Sequence, residues 1–187
     1  MNKSNNTKEL LIKTVVELLQ ECTDISEITS RKITKRANVN LSTINYYFNS
    51  KDELVNISIN KLIGNTADIY FQNIVNSSGS PKDKLRNFLI NISDIIVDYE
   101  KYTKQIIPYI LLKEKFIQTM EILPLVKGCF KENKSDKEFR VISYQLISFM
   151  QLAFYRSDEF KSFSKIDIMN KKERDALINM ELNLLIK

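Results

Sequence analysis

Apolar side chains recur every three or four residues through most of the chain, which is the spacing of one face of an α-helix. At the N-terminus this spacing is kept by Leu11, Val15, Leu18 and Cys22. Asn6 can cap this first helix, because Glu9 follows three residues later as in a capping box. No segment alternates apolar and polar residues as a half-buried strand does, and only three Gly and three Pro interrupt the 187 residues. The pattern therefore predicts an all-α protein.

Two short helices joined by a tight turn are predicted next. The first covers residues 30–37, and the second covers residues 41–47. Asn38 opens the turn, because asparagine tolerates the left-handed backbone conformation that such turns often require. Asn40 can then cap the second helix. Two short helices at this spacing indicate either a helix-turn-helix that binds DNA or an ordinary corner between two helices.

Longer helices make up the rest of the predicted fold. Capping boxes at residues 50–53 and 135–138 start two of them. Pro108 ends or kinks a helix that begins at residue 102, because proline has no N–H and clashes with the preceding turn. Residues 157–170 are predicted to form a loop. The long helices cover residues 51–75, a stretch that begins at Pro81, residues 141–155 and residues 171–186.

Two of these helices carry more apolar surface than one chain readily buries. Residues 141–155 contain no charged side chain and are apolar nearly all round, so this helix needs cover on most sides. The last helix has two adjoining apolar tracks, formed by Leu177, Met180 and Leu184 and by Ile178, Leu182 and Leu185. We therefore predict an interface between subunits at these two helices.

Membrane insertion and secretion are not predicted. The uncharged run at residues 141–155 is shorter than the ~20 residues of a spanning helix. The N-terminal residues lack the apolar stretch of a signal peptide. Cys22 and Cys129 lie far apart among apolar residues, so the sequence indicates no disulfide framework. We expect a soluble protein of the reducing cytoplasm.

Enzymatic chemistry has little support in the sequence. The chain has no histidine, which removes the usual general base and the nucleophile systems that depend on it. Two distant cysteines cannot complete a zinc site, and three scattered glycines cannot build a phosphate-binding loop. We therefore predict no enzyme, no metal and no cofactor.

Positive charge is concentrated around the two short helices. Between residues 28 and 51 the chain has five basic residues and no acidic one, whereas its net charge is only +5. Such a surface suits the phosphate backbone of DNA or an anionic membrane. The alternative is a solvated helix face on which the charges cluster by chance. The five residues are Arg31, Lys32, Lys35, Arg36 and Lys51.

Residues 28–55, with the sequence ITSRKITKRANVNLSTINYYFNSKDELV, resemble the DNA-binding region of the TetR family of transcriptional regulators. The positions that match the family pattern are Ile33, Ala37, Val39, Thr43, Ile44, Tyr47, Phe48, Ser50, Lys51 and Leu54. Thr34 stands where alanine is common, Asn38 where glycine is common, and Asn45 where an aromatic residue is common. Beyond this region the chain resembles the family in its length and its all-helical pattern.

The resemblance implies a three-helix DNA-binding domain at residues 1–50 and a larger helical domain for ligand binding and dimerisation at residues 51–187. Residues 41–47 would be the recognition helix in the major groove. The residues that the resemblance places at DNA bases or phosphates are Ser30, Arg31, Leu41, Ser42, Thr43, Asn45, Tyr46, Tyr47 and Lys51. Ser, Thr and Asn side chains suit base edges, whereas the tyrosines and the lysine suit phosphates.

The resemblance further implies a homodimer, formed by the last two predicted helices, on a near-palindromic double-stranded DNA operator. A small apolar or aromatic effector would release this repressor by binding one separation of the two DNA-binding heads better than another. Aromatic residues that could line its cavity are Phe88, Tyr99, Tyr102, Tyr109, Phe116 and Phe149, and plain core packing is the alternative for each.

Two other functions are compatible with the pattern. A DNA-bound architectural or division-control protein would have the same DNA-binding head and no effector. A helical enzyme or interaction protein would have the same two short helices and would bind no DNA.

Overall fold

The computed structural model describes residues 3–113, 116–130 and 134–186, and these ranges contain ten α-helices and no β-strand. The predicted all-α class is therefore confirmed. The helices are α1 (Lys3–Glu21), α2 (Ser30–Ala37), α3 (Ser42–Phe48), α4 (Lys51–Val75), α5 (Pro81–Asp98), α6 (Glu100–Lys113), α7 (Ile117–Gly128), α8 (Asp136–Tyr155), α9 (Ser157–Ser164) and α10 (Lys171–Leu185). None of the helices in these ranges combines the length and the apolar composition that crossing a membrane requires.

The chain divides into two compact units, Met1–Asn65 and Thr66–Lys187. Helix α4 contributes residues to both of them. The domain boundary predicted after residue 50 stays a prediction, because compactness groups residues that pack together and does not identify those that bind DNA.

The first unit is built on a small apolar core in which the short helices are anchored. Its largest fully buried side chains are Leu11, Leu18, Leu19, Ile28, Ile33, Ile44, Phe48, Leu54 and Ile59. Burial of one such side chain contributes about 1.5–3 kcal/mol to the stability of the unit. Helices α2 and α3 are too short to be stable alone, so this core is what keeps them helical.

Two predicted helix caps in this unit are wrong. Asn6 lies inside α1, which already begins at Lys3. Asn40 makes no side-chain cap to α3, whose N-cap position is Leu41. Backbone carbonyls replace the missing cap, since the N–H of Thr43 donates to the Asn40 carbonyl at 3.0 Å.

The second unit is centred on α5, which packs against α6, α7 and α10, while α8 packs against α6, α7 and α9. Capping explains where two of its helices begin. Ser80 accepts a hydrogen bond from the Asp83 N–H at 3.2 Å, with Pro81 as the first residue of α5. Ser135 accepts from the Glu138 N–H at 3.3 Å, and so the predicted capping box at the start of α8 is confirmed.

Pro108 does not end its helix, because α6 runs on to Lys113. Pro124 likewise lies within α7. A proline inside a helix costs about 3 kcal/mol, so packing has to compensate this cost. Ile106 and Ile107 of α6, and Leu125 and Val126 of α7, are buried next to the two prolines and supply that packing.

The predicted loop at residues 157–170 is wrong in its first half, which forms α9. This helix is only eight residues long, has no buried residue and contains two apolar side chains, Phe160 and Phe163, so its sequence is too short for a clear helical repeat. Helix α9 is positioned by one ring contact, and its end is set by the backbone conformation of the residue that follows it. The ring of Phe160 packs edge-on against Phe149 of α8 at 5.8 Å between centroids, and Lys165 ends the helix in a left-handed conformation with φ 64°.

Candidate nucleic-acid interface

The turn between α2 and α3 depends on Asn38. Its backbone is left-handed, with φ 52° and ψ 50°, which is the conformation predicted for it. The N–H groups of Asn38 and Val39 both donate to the carbonyl of Thr34. The last turn of α2 is thereby closed, and the chain is redirected into α3.

Thr29 caps the start of α2. It directly precedes Ser30 and Arg31, which were predicted to contact DNA. The Oγ1 atom of Thr29 accepts from the Lys32 N–H at 3.2 Å. Ser30 is half-buried and Arg31 is exposed in the first turn of the helix. Thr34 is buried, and its hydroxyl donates to the Ser30 carbonyl at 2.9 Å, so threonine is accommodated where the family commonly has alanine.

Helix α3 presents one polar face to solvent. Ser42, Asn45 and Tyr46 are exposed and share this face by their i, i+3 and i+4 spacing. Leu41 precedes them and is 54% exposed, whereas Ile44 and Phe48 are buried on the opposite side. The face therefore offers hydroxyl and amide groups outward from a helix that is fixed by its apolar side.

The remaining predicted residues of α3 are half-buried, namely Thr43 and Tyr47. Tyr46 is 78% exposed and packs edge-on against Tyr47 at 4.8 Å between ring centroids. The ring of Tyr46 is therefore supported by a neighbouring tyrosine of the same helix. Both phenols remain candidates for phosphate contacts.

The start of α4 brings Lys51 next to this face in sequence. Ser50 accepts from the Glu53 N–H at 3.0 Å, which is one half of the predicted capping box. The other half is replaced, because the Glu53 carboxylate accepts from Asn49 Nδ2 at 3.1 Å. Lys51 forms an ion pair with Asp52 at 2.8 Å. Exposed pairs of this kind contribute less than about 1 kcal/mol, so Lys51 can exchange Asp52 for a phosphate.

Two of the five clustered basic residues are engaged inside the first unit. Arg36 of α2 forms two hydrogen bonds with the Glu21 carboxylate of α1, and the hydrogen bond from Arg36 lowers the pKa of Glu21. Lys32 donates to the Cys22 sulfur at 3.1 Å, and this hydrogen bond raises the pKa of Lys32. These contacts tie α2 to α1.

Arg31 and Lys35 are exposed, and within the described ranges neither has an ion-pair partner. Lys35 is absent from the DNA-contacting residues that the sequence predicted. Lys35 is one of the five basic residues between positions 28 and 51, so the sequence did indicate it as a candidate for DNA contact. Its free side chain could be recognised only once the partners of Arg36 and Lys32 were known.

Because Arg36 is paired with Glu21 whereas Arg31 and Lys35 have no ion-pair partner in the described ranges, their substitutions should affect DNA binding differently. Arg31→Ala and Lys35→Ala should each make the salt dependence of DNA binding shallower, by about one unit of the slope of log K against log salt per lost phosphate contact. Arg36→Ala is the matched control, because its charge already faces Glu21. It should lower the melting temperature of the protein and leave the slope unchanged. The slope is measured by titrating DNA at several salt concentrations, and equal slopes for all three variants would contradict the assignment.

The six aromatic residues predicted to line an effector cavity differ in their exposure and in their neighbours. Phe88 and Tyr102 are buried, and Phe88 packs edge-on against Phe71 of α4. Phe116 is 61% exposed and borders a crevice between α7 and α8. Phe149 borders an open groove of about 270 Å³ between α8 and α9. Tyr99 and Tyr109 are half-buried, so the common cavity stays a prediction.

Apolar side chains remain exposed on α8 and α10. On α8 they follow one helical stripe, formed by Val141, Tyr144, Leu152 and Tyr155, each between 42% and 56% exposed. On α10, Met180 is 51% and Leu184 is 63% exposed, whereas Leu177, Ile178 and Leu182 are buried in their own subunit. One track of the last helix thus stays exposed. The subunit interface predicted at these two helices stays a prediction, and exposed apolar side chains of this kind are common at interaction sites.

Comparison with known proteins agrees with this geometry. Residues 16–56 match the family model of bacterial regulatory proteins of the tetR family. A comparison with curated proteins finds no match. The match to the family model covers the two short helices, the end of α1 and the start of α4.

Solved structures resemble the chain over nearly its whole length. Thermus thermophilus FadR, a TetR family transcriptional repressor in complex with lauroyl-CoA, has a TM-score of 0.70 and 16% identity, over 95% of this chain and 92% of its own. A TetR transcriptional regulator from Rhodococcus sp. RHA1 has a TM-score of 0.67 and 14% identity, over 98% of each chain. A TetR-like transcriptional regulator from the same organism has a TM-score of 0.55. At these identities the likeness shows a shared fold.

Proposed function

We propose that the chain is a TetR-family regulator that represses transcription as a homodimer on a near-palindromic operator, because residues 16–56 match the model of that family and the fold is similar to those of its regulators. The observation that carries this proposal is the exposed polar face of α3. Its side chains are held outward by a buried apolar side, and exposed cations lie on the preceding helix.

Each head would read DNA by inserting α3 into the major groove. Ser42, Thr43 and Asn45 would contact base edges, because their hydroxyl and amide groups both donate and accept hydrogen bonds. Arg31, Lys35 and Lys51 would contact phosphates and fix the register of the helix. The two tyrosines would add phosphate contacts through their hydroxyl groups.

The dimer would form through α8 and α10, whose exposed apolar stripes have no cover within the described parts of one chain. Two identical heads on a twofold axis read two half-sites, so the operator would be a near-palindrome. Once one head is bound to its half-site, the second head binds its own half-site intramolecularly. The affinity of the dimer is therefore well above that of one head.

An effector with an apolar part would release the dimer from DNA. The FadR repressor of similar fold is in complex with lauroyl-CoA, a ligand with a long apolar chain. For this chain we propose that the effector binds the second unit and that α4 transmits the change to the head. The ligand acts only through the difference between its affinities for the DNA-bound and the released form.

A second candidate is a DNA-bound protein of the same fold without an effector. The small size of the crevice between α7 and α8, about 20 Å³, favours it. That volume holds about one water molecule. A rise in melting temperature with a small molecule would favour the ligand-responsive regulator over this candidate.

Substitutions in the reading helix test the proposal. Thr43→Ala and Asn45→Ala should each weaken operator binding by about 1–3 kcal/mol and affect random DNA much less, because they remove base contacts. Lys51→Ala should weaken binding to both kinds of DNA alike, because it removes a phosphate contact. Gel-shift titrations with operator and random duplexes measure the two affinities. If none of the three changes alters operator affinity, α3 is not the reading helix.

A further inference from the structure

The crevice between α7 and α8 is closed by two side-chain contacts. The ring of Phe116, just before α7, packs edge-on against Tyr144 of α8 at 5.2 Å between centroids. Gln151 of α8 donates through Nε2 to the Gln118 oxygen of α7 at 2.7 Å. Both contacts join the same pair of helices, and both partners of the first are substantially exposed.

The lining of the crevice combines polar, uncharged side chains with apolar ones. Gln118, Gln151, Ser148 and Thr119 provide amide and hydroxyl groups. Ile110, Leu111 and Ile117, together with the two rings, provide the apolar side. None of the nine residues described around the crevice is charged. Among the residues described around the crevice, a charged ligand group would therefore find no ion partner for the water it loses, whereas a neutral amide or hydroxyl group would find hydrogen bonds.

Both helices that border the crevice with α8 are weakened by an internal proline. Pro108 lies in α6 just before Ile110 and Leu111, and Pro124 lies in α7 after Thr119. Each proline removes the N–H that would bond the carbonyl four residues earlier in an unbroken helix. Prolines are common places for a helix to kink. A change of the kink angle in α6 or α7 would widen the crevice.

We propose that this crevice is the closed form of a ligand site for small neutral amphipathic molecules, with an uncharged amide or hydroxyl head and an apolar tail. The inference rests on the proposed function, because the ligand is the effector of the regulator. The Gln118–Gln151 hydrogen bond is exchanged for hydrogen bonds to the head of the ligand. The tail replaces the mutual packing of the Phe116 and Tyr144 rings.

Three molecules with the same apolar chain and different heads test the chemistry: octanamide, octanoate and octylammonium. Binding to the full-length protein is measured by calorimetry and by the shift of its melting temperature. Octanamide should bind about tenfold more tightly than either charged molecule, since only its head is hydrogen-bonded without a desolvated charge. Tighter binding of octanoate, or equal binding of all three, would overturn the proposal.

Two substitutions on α8 locate the site. Ser148→Phe fills the crevice and should abolish octanamide binding. Gln151→Glu places a negative charge at the head position and should make octylammonium the preferred ligand, while the new carboxylate can still accept from the Gln118 amide. Ser162 is exposed on α9 and does not border the crevice, so Ser162→Phe and Ser162→Glu are the matched controls. Controls that change binding as much as the site variants would contradict the location.

The test separates this inference from the proposed function. Each variant is also titrated with DNA and examined for its helical circular dichroism, which must match that of the wild type. If operator DNA is bound and none of the three molecules binds, the ligand class is refuted and the DNA-binding regulator stands. If no DNA is bound under any salt condition while octanamide binds the crevice, the ligand site stands and the regulator does not.

Discussion

The double substitution Leu152→Glu and Leu184→Glu should convert the dimer into a monomer and lower operator affinity by about 100-fold or more. Leu152 is 51% and Leu184 is 63% exposed, on the apolar stripes of α8 and α10. Charges there would face the partner subunit in a desolvated interface without a counter-charge. The loss in affinity is large because a monomer has one head, and the second half-site contact is no longer intramolecular.

Light scattering and gel-shift titration measure the two effects on the same samples. Leu112→Glu is the matched control, because Leu112 is 82% exposed on α6, outside both stripes. It should leave the protein dimeric and its operator affinity unchanged. A double variant that remains a dimer would place the interface elsewhere, and a monomer with full operator affinity would contradict the twofold reading of DNA.

The substitution Asp94→Asn should destabilise the second unit by about 2 kcal/mol. Arg174 of α10 is 3% exposed and donates to Asp94 of α5 and to the carbonyls of Ile168 and Met169. Removal of one partner of a buried pair costs about 3–5 kcal/mol, because the other charge stays buried. The smaller figure here allows for the solvent that reaches Asp94, whose side chain is 33% exposed.

The effect of this substitution should depend on pH. Burial alone would raise the pKa of Asp94, but the hydrogen bonds from Lys171 and Arg174 outweigh it, so the pKa lies below the ordinary 3.8. A carboxylate with a lowered pKa stabilises the folded state above its unfolded pKa, and this contribution is lost as the pH falls through the folded pKa. The difference in stability between wild type and Asp94→Asn should therefore be constant above pH 5 or so and shrink below about pH 4.

Urea unfolding at several pH values measures that difference. Asp136→Asn is the matched control, because Asp136 is also held by two cations, Lys127 and Arg140, but on the surface. All three of these side chains are about half exposed, so solvent screens their interaction and the control should destabilise the protein much less than Asp94→Asn. Equal losses for the two variants would show that the buried position of Arg174 does not matter.

Helices with strong local signals could be predicted from the sequence. The observed bounds of α2 are those predicted, because an amphipathic repeat and the conformation of Asn38 define its end locally. The capping boxes at Ser50 and Ser135 likewise lie at the starts of their helices. Such signals depend only on residues within one or two turns of each other.

Features that depend on distant contacts could not be predicted. Helix α9 has no buried residue and is positioned by Phe149 of another helix. Arg36 pairs with Glu21 of α1, fifteen residues away in sequence. A count of basic residues could not show that the charge of Arg36 has this partner. Pro108 remains inside α6 because buried neighbours hold that helix together. In each case tertiary packing overrides the local preference.

The candidate site residues show the same difference between features set by local spacing and features set by distant contacts. The outward face of α3 follows from helical spacing once Ile44 and Phe48 are placed inside. Exposure separates Asn45 and Tyr46 from the half-buried Thr43 and Tyr47, and sequence spacing could not make that distinction. The crevice between α7 and α8 depends on helices that are far apart in sequence, and only one of the six predicted aromatic residues, Phe116, borders it.

The salt dependence of binding to the DNA upstream of the gene for this chain tests the central claim most directly. In the proposed dimer Arg31, Lys35 and Lys51 would give three phosphate contacts per head and six in total, so log K should fall against log salt with a slope of about −5. Footprinting at the lowest salt should show two protected half-sites about one helical turn apart. A flat salt dependence without a footprint would contradict the account, because the cations and the polar face of α3 would then have no DNA to bind.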